Sequence, residues 1–203
     1  MIDIDTYNRV RENHGDYASW AVWAEEADKP KSNMSDMSIF DPVTNPNLLE
    51  TLTNNVIMVG LNFSRLERNK EHWGNFHDPH RAANDFKIRY AFQGTDYYGA
   101  YMTDIIKNLV TLDSKKAVSH LEQNPDLVRE NITSFRAELR DLGCRRPLIL
   151  AFGRDTFQLL RKNLDPNEYS RLVKLTHYSH QIGKEKYRDE VLTKIAEALR
   201  SAS

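Results

Sequence analysis

Apolar and polar positions fall into blocks of two kinds along the chain from residue 55 onward. Short apolar runs are typical of buried parallel strands, whereas longer segments with apolar residues three or four positions apart are typical of helices. The pattern predicts strands at Val56–Leu61, Ala100–Thr103, Leu148–Phe152 and Leu172–Thr176. It predicts helices at Arg81–Phe92, Lys115–Gln123, Pro125–Leu142, Arg154–Asn163 and Glu185–Ser201. The alternation predicts an α/β fold, a three-layer αβα sandwich with a central four-stranded parallel sheet.

The N-terminal part of the chain has a different pattern. Apolar residues between positions 6 and 26 form a stripe that is interrupted at Gly15 and predicts helical structure. Residues 28–46 are rich in Pro, Ser, Asn and Asp and predict a loop. We therefore expect residues 1–46 to form a helical segment and loop that pack on a single domain of residues 1–203.

Composition and charge restrict the class of protein. Hydrophobic residues make up 40% of the chain, and no apolar run approaches the roughly 20 residues of a membrane span. The acidic N-terminus lacks the basic start of a signal peptide, so we expect a cytoplasmic protein with no membrane partner. The single cysteine, Cys144, excludes an internal disulfide. With 28 basic and 29 acidic residues, binding to nucleic acid would require a local basic patch.

Two short polar motifs follow predicted strands at the carboxyl ends of those strands. Gly-Leu-Asn-Phe-Ser occupies residues 60–64, and His-Tyr-Ser-His occupies residues 177–180. Open α/β sheets bind ligands at the edge formed by the carboxyl ends of their strands. The amide of Asn62 and the imidazole of His177 are therefore candidate functional groups, although each motif alone is also compatible with a capped turn that binds nothing.

Together the two motifs resemble those of the uracil-DNA glycosylase superfamily, in which one strand runs into Gly-x-Asn-Pro-(Gly/Ser) or a relative and a later strand runs into His-Pro-Ser. The resemblance covers the chain from Asn55 to the C-terminus. It implies a monofunctional DNA glycosylase that hydrolyses the N-glycosidic bond of uracil or another deaminated or damaged base and leaves an abasic site. It also implies that the protein acts on DNA and needs neither a cofactor nor a metal ion. We expect the protein to be a monomer.

The resemblance assigns the two catalytic roles. Asn62 would orient the attacking water near the sugar C1′, and His177 would donate a hydrogen bond to the base carbonyl as negative charge collects there. The reaction passes through an oxocarbenium-like sugar and an anionic leaving base, so two groups that flank the bond suffice without a covalent nucleophile. As an amide, Asn62 can orient water but cannot act as a strong base.

Further residues are implied to hold the extruded base. Phe76 is the first candidate for stacking on it and Trp73 the second, since an aromatic face stabilises any nucleobase, although both also suit simple packing of the loop. Asp104 ends a predicted strand and suits either recognition of a base edge or capping of the next element. The candidates for base binding are Phe76, Gly60, Leu61, Phe63 and Asp104.

The resemblance implies that other residues contact the DNA backbone and the duplex. Ser64, Ser179 and Lys184 are the candidates for binding phosphates. Ile182 follows the second motif, where glycosylases carry a wedge that enters the duplex. It is equally suited to act as a hydrophobic staple for the last helix.

Two residues depart from the family pattern, because Phe63 and Tyr178 stand where the motifs have prolines that stiffen the loops. This departure leaves open a glycosylase-fold protein that binds DNA, a nucleobase or a nucleotide without chemistry. A third alternative is a metal-dependent hydrolase of small molecules, since His72, His77, His80 and Asp78 carry groups that ligate divalent metals.

Overall fold

The computed structural model describes residues 2–62, 72–107, 109 and 114–200. Within these residues there are five strands and seven α-helices. The strands are β1 (Ala18–Trp20), β2 (Thr53–Asn62), β3 (Ala100–Ile106), β4 (Leu148–Phe152) and β5 (Arg171–Leu175). The helices are α1 (Ile4–His14), α2 (Leu48–Thr51), α3 (Phe86–Phe92), α4 (Ser114–Gln123), α5 (Pro125–Asp141), α6 (Arg154–Asn163) and α7 (Lys184–Arg200).

The strands form one mixed sheet in the order β1-β3-β2-β4-β5. Strands β3, β2, β4 and β5 are parallel to one another, and β1 pairs with β3 in the antiparallel direction. The prediction of an α/β fold is confirmed, but the sheet has one strand more than the predicted four and is not purely parallel. The parallel strands place their carboxyl ends along a single edge.

Strand β1 corrects the helical interpretation of the N-terminal segment. Helix α1 ends at His14, and the chain then enters the sheet at Ala18 instead of continuing as a helix. All three residues of β1 are buried, so exposure does not alternate along the strand. Three residues are too few to carry a strand pattern in the sequence, which explains why the prediction was wrong here.

Helices cover both faces of the sheet. On one face, residues of α1, α5 and α6 share a buried cluster with Ile57, Tyr101 and Ile149 of the strands. On the other face, residues of α3 and α7 share a second cluster with Met58 and Leu150. Side chains of a strand alternate between its two faces, so Met58, Gly60 and Asn62 all lie on the face of α3 and α7.

Helix α3 begins at Phe86, five residues later than the predicted start at Arg81. The ammonium group of Lys31 explains the difference, because it donates hydrogen bonds to the backbone carbonyls of His80 (3.4 Å), Arg81 (2.5 Å) and Ala83 (2.6 Å). Carbonyls that accept from a lysine in this way hold the segment in turns before α3.

None of the described helices has both the length and the apolar content that crossing a membrane requires.

Candidate active site

A cleft of about 760 Å³ opens at the carboxyl ends of β2, β3 and β4. Its walls come from the ends of these strands, the loop of residues 75–85, the start of α6 and the loop that follows β5. Both sequence motifs reach it, since Asn62 and His177 each line the cleft. The parallel sheet therefore joins two motifs that are far apart in the sequence.

Asn62 is the last residue of β2 and lies half-buried at the rim of the cleft. Its side-chain nitrogen donates to the backbone carbonyl of Leu109 at 3.4 Å, a weak contact by distance. Strand alternation directs the carboxamide to the cleft face of the sheet. Asn62 is thus positioned to orient a water molecule or a sugar at the cleft mouth.

His177 lies two residues after the end of β5, and its hydrogen bonds define its tautomer. The backbone N–H of Ser179 donates to Nδ1 at 3.1 Å, and the Ser179 hydroxyl lies 2.8 Å from the same nitrogen. Because Nδ1 accepts, the proton of the neutral ring resides on Nε2. Burial lowers the pKa of His177 to about 4, so the ring is neutral at physiological pH. His177 therefore offers one N–H donor to a ligand in the cleft.

Aromatic side chains form the apolar part of the cleft. Phe76 is 3% exposed and makes an edge contact with Tyr178, with ring centroids 6.4 Å apart. Tyr178 also stacks on His177 at 4.3 Å and packs edge-on against Phe152 at 5.4 Å. Tyr178 therefore both supports the histidine and contributes aromatic surface.

Phe76 adopts a left-handed backbone conformation, with φ of 64°. Such a conformation is uncommon for a bulky residue and persists only where its surroundings hold it. Asn75 Oδ1 accepts from the Phe76 N–H at 3.1 Å, and Trp23 Nε1 donates to the Phe76 carbonyl at 3.3 Å. Trp73, the second candidate for stacking, does not line the cleft and packs instead with Tyr7 and Trp20 in the core.

Asp104 lies at the cleft floor on β3, beside Gly60 of β2. Its carboxylate accepts a hydrogen bond from Asn75 Nδ2 at 2.9 Å, and Asn75 Nδ2 also donates to the Tyr17 carbonyl at 2.7 Å. Burial is the main cause that raises the pKa of Asp104 to about 6. Gly60 makes room for this carboxylate, because a Cβ at position 60 would lie 2.2 Å from Asp104 Oδ1.

Replacing Gly60 with alanine is expected to destabilise the fold by about 1–3 kcal/mol, because the new methyl group overlaps a carboxylate that Asn75 holds in place. Chemical denaturation of Gly60→Ala against wild type measures the change. Gly183→Ala is the matched control, since a Cβ there meets nothing nearer than 3.5 Å. If the overlap is the cause, the double variant Gly60→Ala/Asp104→Ala recovers part of the loss, and an unchanged unfolding midpoint for Gly60→Ala would contradict the argument.

A smaller depression of about 330 Å³ adjoins the cleft and shares Gly153, Arg154, His177 and Ser179 with it. Lys174, His180 and Lys194 complete its polar wall. Arg154 and Lys174 are exposed and form no ion pair within the described part of the chain. Two exposed cationic side chains, Arg154 and Lys174, thus lie next to His177.

The remaining candidates for DNA contact have different environments. Ser179 lines the cleft and the basic depression. Lys184 forms an ion pair with Glu26 at 3.4 Å and lies over the Tyr90 ring at 4.4 Å, outside both. Ile182 is half-buried against the core cluster of α7, which suits a staple better than a wedge. Phe63 and Ser64 lie outside the described residues.

The candidate metal ligands do not form a site. His77 is buried, and its two ring nitrogens lie 2.8 Å from the Asn75 carbonyl and 2.9 Å from the Val22 carbonyl. His72 instead pairs with Asp16 at 3.4 Å. Among residues 2–62, 72–107, 109 and 114–200, no three His, Cys, Asp or Glu side chains are grouped so as to hold a metal ion. The metal-dependent alternative has no ligand group in this part of the molecule.

The structure adds three functional candidates that the sequence analysis did not select. Asn75 holds both Asp104 and Phe76, Tyr178 stacks on His177, and Arg154 contributes to both depressions. Arg154 had a signal in the sequence, because it follows predicted strand β4 as the two motifs follow β2 and β5. Asn75 and Tyr178 had none beyond lying near candidate residues, since their roles depend on tertiary contacts.

No protein-family model matches this chain, and neither a search of curated proteins nor a search of solved structures finds a match.

Proposed function

We propose that this protein is a monofunctional DNA glycosylase that hydrolyses the N-glycosidic bond of a deaminated or otherwise altered base. The observation that carries the proposal is the convergence of Asn62 and of a neutral His177, with its proton on Nε2, at one cleft. The proposal includes a three-layer αβα sandwich for the fold and a monomer that acts on DNA in the cytoplasm.

The chemistry requires a group on each side of the scissile bond. As the bond from C1′ to the base nitrogen breaks, its electron pair leaves with the base, and water adds to the oxocarbenium-like carbon and loses a proton. In this proposal Asn62 orients the water, and the Nε2–H of His177 stabilises the carbonyl oxygen on which the negative charge collects. Phe76 and Tyr178 provide aromatic surface for the extruded base.

The basic depression supports DNA as the partner. An extruded nucleotide carries its flanking phosphates to the mouth of the cleft, where the side chains of Arg154 and Lys174 are available. Neutralised phosphates release counterions, so binding to this patch becomes weaker as salt rises. We therefore assign the DNA backbone to the rim beside His177.

A second candidate function is binding of a base or nucleotide without turnover. The specific observation in its favour is that position 62 carries an amide, which cannot remove a proton from water. Hydrolysis then depends on a dissociative transition state that needs little help from a base. The two candidates differ in whether product forms, which a direct assay determines.

The test is base release from fluorescent oligonucleotides that carry uracil, hypoxanthine, xanthine or cytosine, in single-stranded and mismatched duplex form, followed by alkaline cleavage at abasic sites. Wild type is expected to release at least one base, and Asn62→Ala is expected to lower the single-turnover rate by about 10²-fold or more while retaining DNA binding. Asn167→Ala, a change at an exposed asparagine far from the cleft, is the matched control.

The outcomes separate the two candidates. Release that depends on Asn62 supports the glycosylase. Binding of the same oligonucleotides with no release, by a protein whose unfolding is cooperative, supports the binding protein. Release that is unaffected by Asn62→Ala overturns the assignment of the cleft.

A further inference from the structure

One carboxylate oxygen of Asp104 has no hydrogen-bond partner in the part of the chain that the structure describes. The side chain is 5% exposed and lines the cleft. Oδ2 accepts from Asn75, whereas Oδ1 faces Gly60 and has no hydrogen-bond partner among the described residues. Asn75 holds the carboxylate in place through Oδ2, so a ligand in the cleft that donates to Oδ1 adds a hydrogen bond that the described residues do not supply.

The strand register determines which part of a ligand meets this oxygen. Asn62 is level with Ile106 across the parallel pair, whereas Asp104 is level with Gly60, two residues earlier. Strands rise about 3.3 Å per residue, so Asp104 lies about 7 Å deeper than Asn62 on the same face. With the sugar beside Asn62, the part of the base farthest from the glycosidic bond meets Asp104.

The opposite side of the cleft has the complementary chemistry. His177 offers an N–H donor near the mouth, where it meets a carbonyl adjacent to the glycosidic nitrogen. Among the nucleobases a pyrimidine has such a carbonyl, at C2, whereas a purine has none next to N9. A carboxylate at the far end accepts hydrogen bonds only, and a ring amino group is the donor that suits it.

We propose that Asp104 determines specificity and selects an altered aminopyrimidine, a modified cytosine, whose 2-carbonyl meets His177 and whose 4-amino group donates to Asp104. This inference rests on the glycosylase function proposed above. Uracil places its O4 where cytosine has the amino group, so two acceptor oxygens would face each other in a buried site. Sites that hydrogen-bond one substrate group discriminate strongly against an analogue that lacks it.

The charged neighbours of Asp104 make this selection dependent on pH. Burial raises the pKa of Asp104 most, Asp85 and Glu138 raise it further, and Asn75 and Lys107 lower it, with a result of about 6. Above that pH the carboxylate only accepts, whereas below it the protonated carboxyl group also donates and tolerates O4 of uracil. The preference for cytosine over uracil is therefore expected to increase from pH 5 to pH 8.

The experiment compares wild type with Asp104→Asn on oligonucleotides that carry cytosine, 5-methylcytosine or uracil, at pH 5 and pH 8. Wild type is expected to favour an aminopyrimidine over uracil at least tenfold at pH 8 and less at pH 5. In Asp104→Asn an amide N–H faces O4, so the preference is expected to shift at least tenfold toward uracil and to lose its pH dependence. Asp96→Asn, a change at an exposed aspartate, is the control.

Thermal unfolding of the same proteins verifies that Asp104→Asn folds. A carboxyl pKa raised from 3.8 to about 6 in the folded state means that stability is lost as pH rises through this window. Removal of the titrating group is therefore expected to raise the unfolding temperature at pH 8, with a smaller difference at pH 4. An Asp104→Asn protein that unfolds earlier than wild type at pH 8 would contradict this account of the carboxylate.

Saturation-transfer NMR with free cytosine and free uracil distinguishes failure of this inference from failure of the proposed function. Binding of cytosine by wild type and of uracil by Asp104→Asn, without base release by either, supports the selection while overturning glycosylase activity. Release with uracil preferred by both proteins overturns the selection and leaves the glycosylase standing. Neither release nor binding of any base overturns both.

Discussion

Replacing His177 with alanine is expected to slow base release by about 10²–10³-fold, the loss typical of removing one preorganised donor from a site of developing negative charge. The donor is preorganised because Ser179 holds Nδ1 and leaves the proton on Nε2. Tyr178 stacks on the ring and restricts its orientation. The effect is expected in the single-turnover rate more than in DNA binding, since the hydrogen bond strengthens as charge develops.

The pH dependence adds a second test of His177. Burial lowers its pKa to about 4, so the ring is neutral and its N–H is in place throughout the range from pH 5 to pH 8. Protonation of His177 is therefore expected to produce no change in rate across this range. Burial raises the pKa of Asp104 to about 6, so the part of any inflection near pH 6 that Asp104 causes is expected to disappear in Asp104→Asn.

His120→Ala is the matched control, since His120 is exposed on α4 and lies outside the cleft. It is expected to keep the wild-type rate. A loss of less than about fivefold in His177→Ala, with the control unchanged, would remove His177 from the charge-stabilising role. Unfolding curves for both variants determine whether a lower rate reflects chemistry or stability.

Replacing Glu138 with alanine is expected to destabilise the fold by about 3–5 kcal/mol, because it breaks a buried ion pair and leaves one charge unpaired. Glu138 is fully buried, and its Oε1 lies 2.5 Å from the ammonium nitrogen of Lys107. Tyr101 donates to the other carboxylate oxygen at 2.9 Å. Loss of the carboxylate thus also leaves a buried hydroxyl without its acceptor.

Denaturant unfolding of Glu138→Ala measures this effect, and Asp126→Ala on the same helix is the control. Asp126 forms an exposed ion pair with Arg129, which solvent screens, so its loss is expected to change the midpoint far less. Similar midpoints for the two variants would contradict the argument from burial. Lys107 also donates to the backbone carbonyl of Asp104 at 2.8 Å, so Glu138→Ala is expected to reduce base release as well.

The sequence predicted the elements with strong local signals. Strand β4 is a continuous apolar run and β2 contains one at Val56–Leu61, and Arg154–Asn163 was predicted with the bounds that the structure has. Strand β1 and the late start of α3 could not be predicted in the same way. The first is too short to show a period, and the second depends on Lys31, which lies far from α3 in the sequence.

The candidate site likewise has residues that the sequence predicted and residues that it did not predict. Asn62, His177 and Asp104 were selected at predicted strand ends and Phe76 from the family resemblance, and the structure brings all four to one cleft. Their catalytic and binding roles stay predictions. The contribution of Asn75 depends on its simultaneous contacts with Tyr17, Phe76 and Asp104, which come from separate parts of the chain.

The sequence by itself determined the α/β class, four of the strands and the two polar motifs, because apolar periodicity and strand ends are local properties. Only the tertiary structure decided that a fifth strand joins the edge of the sheet, that Asn62 and His177 share one cleft, and that Asp104 is buried with one carboxylate oxygen unpartnered among the described residues. The physical reason is that shared clefts, pKa values and the partners of buried groups depend on residues brought together by folding, and the linear order of residues does not specify those neighbours.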